Sequence, residues 1–229
     1  MLEHKEIASR LREVRDRIAN AAQRSSRVTD SIRLVLASKT QPIDAIRAAY
    51  DAGARDFGEN YVQEAVSKRG PLRDLNDATW HLIGHLQTNK SKVAANTFDI
   101  IQTLDSIRLA DALAGLSVSP PIRVLIEVNL GAEASKSGIA IGDAEKLVES
   151  ARDKLEIAGL MTIAPHSESL DDARRYFAEL RELRDRLAAC TGLALSELSM
   201  GMTEDFEVAI EEGATMVRIG RAVFGERRK

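Results

Sequence analysis

The chain has 229 residues, of which 44% are hydrophobic and 29% charged, and its formal net charge is -3; this is typical of a soluble protein of one large or two small domains. Because lysines and arginines show no surplus and alternate with acidic residues, a nucleic-acid partner is not expected. The single cysteine, Cys190, excludes an intrachain disulfide and a cysteine-rich zinc site. The charged start and the lack of any apolar run of about 18 residues predict neither signal peptide nor membrane span, so we expect a cytoplasmic protein.

The first predicted elements are a helix and a strand. Apolar residues at helical spacing predict an amphipathic N-terminal helix, and these residues are Ile7, Leu11, Val14 and Ile18. Residues 33–39 then form a short apolar run that ends before Pro42, as is typical of a buried parallel strand. The last residue of this run is Lys39, so its ammonium group is expected where the strand leaves the core.

Lys39 is the first candidate for chemistry. A partly desolvated lysine has a lowered pKa and can form a Schiff base with a carbonyl compound. On residues 33–39 alone, however, a solvated lysine at a strand end is the favoured interpretation, because most lysines in proteins are exposed. The choice depends on which other residues lie at the same end of the strands.

The rest of the chain alternates between predicted strands and helices. Further strands are predicted at residues 56–60, 79–84, 99–104, 123–129, 156–163, 194–200 and 216–219. Helices are predicted between Pro42 and Gly53, from Val62 to Gly70, from Ser106 to Gly115, after Gly142, across residues 173–187 and around residues 206–210. The irregular segment 129–142, which contains Lys136, is predicted to be a mobile loop.

Eight strands that alternate with helices predict an α/β fold, the closed (β/α)8 TIM barrel. An open doubly wound sheet also alternates, but the glycine-rich dinucleotide turn that such a sheet carries after its first strand is missing here. No linker or low-complexity stretch divides the chain. We therefore predict a single barrel domain over residues 1–229, with an extra N-terminal helix.

The functional site of such a barrel lies at the carboxyl ends of its strands. Polar residues predicted there are Lys39, Glu59, Asn60, His81, His85, Asp105, Asn129, Thr162, Ser199 and Arg218. The loops after strands seven and eight commonly hold phosphate, and here they comprise residues 199–203 and 220–222. Their glycines have an alternative interpretation as residues of tight turns. Combined with a Schiff-base lysine, the loops indicate a ligand that is an aldehyde and carries a phosphate.

Five segments of the chain resemble a known family. They are residues 37–40 (ASKT), 57–64 (FGENYVQE), 80–90 (WHLIGHLQTNK), 199–202 (SMGM) and 217–220 (VRIG). In sequence and order these segments closely resemble the pyridoxal phosphate homeostasis proteins, and the resemblance extends over about residues 7–225. Members of this family are single-domain relatives of the alanine racemase barrel. The resemblance therefore implies a barrel like the N-terminal domain of alanine racemase, with bound pyridoxal 5'-phosphate.

The resemblance also implies a role for each matching residue. Lys39 matches the lysine that holds pyridoxal 5'-phosphate as an internal aldimine, and Arg218 matches the arginine that faces the pyridine nitrogen. The remaining matches are the phosphate-holding residues Ser199, Gly201 and Gly220, the nearby polar residues Asn60 and His81, and Met200, which packs against the cofactor. One departure is Arg221, where family members usually carry a small hydroxyl residue. This departure puts the expected side-chain contact with the phosphate in question, while the expected backbone contacts remain.

Two other motifs do not predict a site. His81 and His85 are four residues apart, but they straddle Gly84 and no glutamate follows His81, so the zinc spacing of metalloproteases is absent and no metal is predicted. Residues 220–225 have the glycine spacing of a phosphate loop. However, Glu226 follows where lysine and a hydroxyl residue are required, so this match is spurious.

Two function classes remain, a racemase-like enzyme and a cofactor carrier. Racemisation needs a second base on the opposite face of the cofactor, and in alanine racemases a tyrosine from a second domain supplies it. Tyr50 and Tyr176 are predicted on helices with apolar neighbours, and Tyr61 at the start of a helix, so none of them fills this role. In addition, an arginine beside the pyridine nitrogen disfavours protonation of the ring, which makes the ring a weaker electron sink.

The sequence therefore favours a carrier that serves intracellular vitamin B6 homeostasis. Such a protein holds pyridoxal 5'-phosphate, delivers it to apo forms of enzymes that depend on it, and does not turn over amino acids. A racemase-like enzyme is the alternative. A lyase for phosphorylated aldehydes ranks third, because aldolase-type barrels carry their Schiff-base lysine on a later strand. A monomer or weak dimer is expected.

Overall fold

The computed structural model describes residues 4–116, 120–131, 137–165 and 169–225. Eight parallel strands close into a barrel in chain order. The strands are β1 (Arg33–Ala37), β2 (Asp56–Glu59), β3 (Thr79–Leu82), β4 (Ile100–Leu104), β5 (Arg123–Glu127), β6 (Glu156–Met161), β7 (Glu197–Ser199) and β8 (Met216–Ile219). The helices of the described residues are α1 (His4–Arg24), α2 (Ile43–Asp51), α3 (Val62–Arg69), α4 (Ser91–Ala95), α5 (Ile107–Ala114), α6 (Ala144–Ala151), α7 (Leu170–Thr191), α8 (Phe206–Glu211) and α9 (Arg221–Phe224). Lys136 lies outside the described residues.

The predicted (β/α)8 barrel with an extra N-terminal helix is confirmed, although some of its elements differ from prediction. β7 starts later than predicted, because Leu195 has a positive φ of 39° that an extended strand does not accommodate. β5 ends at Glu127, and beyond it only Val128 forms an isolated bridge, to Ile139. The sequence analysis missed α4 and α9, which have five and four residues and are too short to show a helical period.

The N-terminal helix α1 covers part of the barrel, as its apolar spacing predicted. It packs against α2, α8 and α9. The guanidinium of Arg17 lies 4.6 Å from the centre of the Phe206 ring on α8 and donates to Glu207 Oε1 at 2.7 Å. The apolar residues predicted for α1 are all buried, namely Ile7, Leu11, Val14 and Ile18. Among the described residues, no helix is both long enough and apolar enough to cross a membrane.

The interior of the barrel is packed with side chains. Its apolar part is a small cluster that is separate from the core between strands and helices, and it consists of Val35, Leu125, Ala158, Met161 and Met216. Where β6 and β7 approach each other, Gly159 leaves no room for a side chain, because an added Cβ would lie 1.9 Å from the carbonyl oxygen of Glu197. A packed interior holds the polar groups at the carboxyl ends of the strands in fixed positions.

Candidate functional site

Lys39 lies two residues beyond the end of β1, at the carboxyl-terminal mouth of the barrel. Side chains alternate along a strand, and Val35 points into the interior cluster, so the same parity directs Lys39 over the mouth. Ser38 faces the opposite way, since its hydroxyl donates to Glu59 Oε1 at 2.7 Å. The Lys39 residue as a whole is half-buried.

Arg218 on β8 is the cation inside the mouth of the barrel. Its side chain points inward and is buried, and its guanidinium donates to Ser199 Oγ at 2.6 Å and to the carbonyl oxygen of Thr162 at 2.7 Å. Burial lowers the pKa of Arg218 to about 10, an effect that the nearby carboxylates of Glu127 and Asp205 oppose. At neutral pH Arg218 therefore remains a cation in a fixed orientation.

A chain of hydrogen bonds continues from Arg218 across the barrel interior. Ser199 Oγ donates to Gln102 Oε1 at 2.6 Å, and Gln102 Nε2 lies 2.9 Å from His81 Nδ1. Because Ser199 fixes the oxygen of the Gln102 amide, the amide nitrogen is the donor to His81 Nδ1. The proton of a neutral His81 then resides on Nε2, which lies 2.9 Å from Asp56 Oδ1 and donates to it. Both ring nitrogens of His81 are therefore engaged inside the barrel.

Glu127, at the carboxyl end of β5, is a buried carboxyl group that the sequence analysis did not single out. The residue is 5% exposed, and its Oε2 atom has no hydrogen-bond partner among the described residues. Burial raises the pKa of Glu127 to about 7; the negative charge of Asp105 adds to this rise, and the positive charge of Arg218 opposes it. A signal was present in the sequence, because Glu127 directly follows the aliphatic residues 124–126 of the strand. Gln102 follows aliphatic residues of β4 in the same way.

Asn60 follows β2 at the same mouth. Its side-chain oxygen is buried and has no hydrogen-bond partner among the described residues. The backbone of Asn60 is packed closely against Gly84, where an added Cβ would lie 2.4 Å from the Asn60 carbonyl oxygen. An unsatisfied amide oxygen at the carboxyl end of β2, the strand next to β1, is the kind of group that a polar ligand satisfies.

The two predicted phosphate loops lie beside each other at the ends of β7 and β8. Gly201 has a φ of +91°, and an added Cβ would lie 2.5 Å from Ala209 Cβ, so only glycine fits there. Gly220 lies beside β1, where an added Cβ would be 3.4 Å from Ala37 Cβ. The guanidinium of Arg221 donates to Glu204 Oε1 at 2.7 Å, next to the loop that follows β7.

The structure brings most of the predicted site residues together, but it places two of them away from the mouth. Lys39, Asn60, Gly201, Arg218 and Gly220 follow or end neighbouring strands at one end of the barrel. His81 is fully buried within the interior network, and Met200 is fully buried in the core between strands and helices. The cofactor contacts assigned to these residues stay predictions.

The histidine pair does not converge. His85 Nδ1 lies 3.1 Å from Asp105 Oδ2 at the exposed rim, whereas His81 is engaged in the interior. Among the described residues, no group of three or more histidine, cysteine, aspartate or glutamate side chains could hold a metal ion.

Replacing Ser199 with alanine tests the interior network. The variant leaves Gln102 Oε1 without its donor and removes one acceptor from Arg218, so we expect the free energy of unfolding to fall by about 1–3 kcal/mol. Urea denaturation of ligand-free protein measures this change. The matched control is Ser31→Ala, which removes an exposed hydroxyl and is expected to change stability by less than about 0.5 kcal/mol. Equal effects of the two substitutions would argue against a connected network.

Comparisons with known proteins agree with this geometry. The sequence profile described as "Alanine racemase, N-terminal domain" matches residues 10–228. The chain is 46% identical over 223 residues to the pyridoxal phosphate homeostasis protein of Aquifex aeolicus (strain VF5), covering 96% of this chain and 97% of the relative. It is 42% identical over 234 residues to the protein of the same name from Escherichia coli (strain K12), covering 97% of each.

Two solved structures are similar to the barrel. PipY of Synechococcus elongatus PCC7942, solved with PLP bound, has a TM-score of 0.82 and 38% identity, covering 96% of this chain and all of PipY. Alanine racemase from Corynebacterium glutamicum has a TM-score of 0.74 and 19% identity, covering 98% of this chain and 62% of the racemase, so this likeness concerns the fold alone. By its sequence and its fold, the chain belongs to the alanine racemase N-terminal domain family and, within it, to the pyridoxal phosphate homeostasis proteins.

Proposed function

We propose that this protein binds pyridoxal 5'-phosphate through Lys39 and serves as a carrier in pyridoxal phosphate homeostasis. The observation that carries the proposal is the position of Lys39 at the barrel mouth, half-buried and beside the loops that follow β7 and β8. The similarity to pyridoxal phosphate homeostasis proteins, and to PipY, which was solved with PLP bound, supports the same ligand.

The residues at the mouth fit this cofactor. Pyridoxal 5'-phosphate supplies an aldehyde that condenses with a lysine amine and releases water, a pyridine ring, and a phosphate dianion. Lys39 provides the amine, and the buried Asn60 oxygen is an unsatisfied acceptor nearby. Gly201 and Gly220 have no side chains that would separate an anion from the backbone N–H groups of their loops. The exposed carboxyl-terminal mouth gives the ligand a route to solvent.

Arg218 disfavours amino-acid chemistry at this site. Its guanidinium is held by Ser199 and Thr162, so it cannot rotate away from the mouth without breaking both contacts. A fixed cation near a pyridine nitrogen disfavours the protonation that makes the ring a strong electron sink. The carrier role therefore agrees with the electrostatics of the site better than a racemase role.

The tyrosines of the described residues also fit a carrier. Tyr50 lies on α2 and its hydroxyl donates to Asp77, and Tyr176 lies on α7 on the outside of the barrel. Tyr61 immediately precedes α3 and is 64% exposed. None of the three is held in a position to act as a base over Lys39. In addition, this chain covers 97% of the Aquifex homeostasis relative but only 62% of the racemase.

The test is α-deuterium exchange on alanine and other amino acids in heavy water, with the protein loaded with pyridoxal 5'-phosphate. This assay detects proton abstraction even without net racemisation. A carrier is expected to exchange at a rate close to that of free pyridoxal 5'-phosphate, because no residue is placed as the second base. Exchange at an enzyme-like rate that disappears in Lys39→Ala would favour the racemase-like alternative.

The recipients of a carried cofactor would be apo forms of pyridoxal-phosphate-dependent enzymes. We place the protein in the cytoplasm, where such enzymes are made and where a lone cysteine stays reduced. Mixing the loaded protein with an apo-enzyme should restore the activity of that enzyme. If the loaded protein restores the enzyme's activity and its dialysate does not, the cofactor is delivered directly. If the dialysate also restores activity, the protein has released free cofactor.

A further inference from the structure

The residue after Lys39 adopts a conformation that needs support. The carbonyl oxygen of Ser38 accepts a hydrogen bond from the backbone N–H of Gln41 at 3.0 Å, which closes a four-residue turn with Lys39 at its second position. Thr40, at the third position, has a φ of +64°. Turns with positive φ at this position normally carry glycine or asparagine, so threonine is strained there. Something outside the turn must stabilise it.

Two side chains of α3 bond to the peptide groups on either side of Lys39. Lys68 Nζ donates to the carbonyl oxygen of Ser38 at 2.8 Å, which is the peptide group before Lys39. Glu64 Oε1 accepts from the backbone N–H of Thr40 at 2.5 Å, which is the peptide group after Lys39. The two bonds together fix the direction in which the Lys39 side chain leaves the backbone.

A buried ion cluster connects these two side chains. Lys68 Nζ lies 2.7 Å from Glu59 Oε1 and 2.7 Å from Glu64 Oε1, and the side chains of Lys68 and Glu59 are 8% and 0% exposed. Glu59 Oε1 also accepts from Ser38 Oγ at 2.7 Å. Removing the charged groups of Lys68 and Glu59 from water is costly, and apolar residues of similar size often stabilise a fold as well or better. A contribution to stability alone therefore does not account for the cluster.

We propose that Lys68 and Glu64 are positioning residues, which hold the turn of residues 38–41 so that the amine of Lys39 points into the barrel mouth. This inference rests on the proposed role of Lys39 and adds to it a mechanism by which the amine is aimed. The backbone at Lys39 loses its conformational entropy when the protein folds, so this loss does not reduce the free energy of ligand binding. A ligand aldehyde then meets an amine already in place.

The test compares variants that remove one bond each. Lys68→Met removes the donor to Ser38, and Glu64→Ala removes the acceptor for Thr40, whereas Glu64→Gln keeps an acceptor oxygen without the charge. Lys154→Met is the matched control, because it breaks an exposed ion pair with Asp111 that is remote from the turn. If Lys68→Met fails to fold, the comparison of Glu64→Ala with Glu64→Gln still decides the outcome.

The first readout needs no cofactor. Hydrogen exchange at the Gln41 amide reports whether the turn persists, since neither substitution touches that N–H directly. Loss of one charge-assisted hydrogen bond is expected to speed this exchange by about tenfold or more in Lys68→Met and Glu64→Ala. Lys154→Met should exchange like the wild type, and Glu64→Gln, which keeps an acceptor for Thr40 but loses the charge, should exchange at a rate between those of the wild type and Glu64→Ala. Wild-type exchange in Glu64→Ala would overturn the proposal.

The second readout is the equilibrium constant for covalent attachment of pyridoxal 5'-phosphate to the protein. This constant is measured from the visible absorption of the attached cofactor. We expect this constant to fall about tenfold or more in Lys68→Met and Glu64→Ala and to fall less in Glu64→Gln, which keeps a neutral acceptor for Thr40. A variant in which hydrogen exchange at Gln41 becomes faster but cofactor attachment is unchanged would show that these side chains hold the turn without orienting Lys39. That result would also overturn the proposal. Absence of attachment in the wild type would count against the proposed function, and the Gln41 readout would then decide the positioning role alone.

Discussion

Replacing Lys39 with alanine is expected to abolish the visible absorption of protein mixed with pyridoxal 5'-phosphate. The chromophore requires a covalent bond between the aldehyde and a lysine amine, and we propose that Lys39, at the barrel mouth, supplies this amine. The substitution removes a half-buried side chain from a turn and not from the packed core, so the fold should be retained. The measurement is the absorption spectrum after removal of free cofactor, with circular dichroism as the check on folding.

The matched control for Lys39 is Lys90→Ala. Lys90 is a partly buried lysine whose Nζ donates to Gln63 Oε1 at 2.9 Å, outside the barrel interior. We expect this variant to keep the visible band at wild-type intensity. A band that survives in Lys39→Ala, or one that disappears in Lys90→Ala, would contradict the assignment.

Glu127→Gln is expected to change the pH dependence of stability. Burial raises the pKa of Glu127 from its ordinary value of 4.5 to about 7 in the folded protein. The folded state therefore binds the proton more tightly than the unfolded state, and the stability that this proton contributes is lost as pH rises from about 4.5 through 7. A rise of this size corresponds to at most about 3–4 kcal/mol, and glutamine, which stays neutral, avoids that loss.

The measurement is urea denaturation of ligand-free wild type and Glu127→Gln at pH 5 and pH 8. Relative to the wild type, the variant should be more stable at pH 8 than at pH 5 by about 2–3 kcal/mol. Because both proteins carry the same other titrating groups, the difference between them isolates Glu127. A difference that is independent of pH would mean that Glu127 is ionised in the folded protein throughout this range.

The barrel was predictable because its signals are local. Apolar runs separated by glycine and proline gave the correct order of the eight strands, and the run of residues 33–39 predicted a buried strand that ends next to Lys39. The late start of β7 was not predictable, because it depends on the backbone of Leu195, whose side chain is an ordinary apolar residue in the pattern. The short helices α4 and α9 carry too few residues for a periodic signal.

The site was predictable only in part. Residues that follow strand ends, such as Lys39, Asn60 and Gly220, could be assigned because every strand of a barrel ends at the same mouth. The partners of Arg218 and His81 could not, because they depend on which residues face each other across the interior. Gln102 forms hydrogen bonds with both Ser199 and His81 because the register of three strands brings these side chains together. No spacing of residues in the sequence predicts these contacts.

The hydrogen bonds from α3 to the turn of residues 38–41 could not be predicted, for the same reason. Lys68 lies among charged residues on a short helix, where sequence patterns indicate an exposed side chain. In the folded protein it is buried, and it bonds to a carbonyl group 30 residues away in the chain. Only the packing of α3 against β2, the strand next to β1, brings the two groups together.

The most direct test of the central claim is borohydride reduction of the protein loaded with pyridoxal 5'-phosphate, followed by proteolysis and mass mapping. Reduction makes the bond between cofactor and lysine permanent, so the modified peptide identifies the amine that carries the cofactor. We predict a single pyridoxyl group, on Lys39. A pyridoxyl group on Lys90 or Lys136, with Lys39 unmodified, would contradict the account.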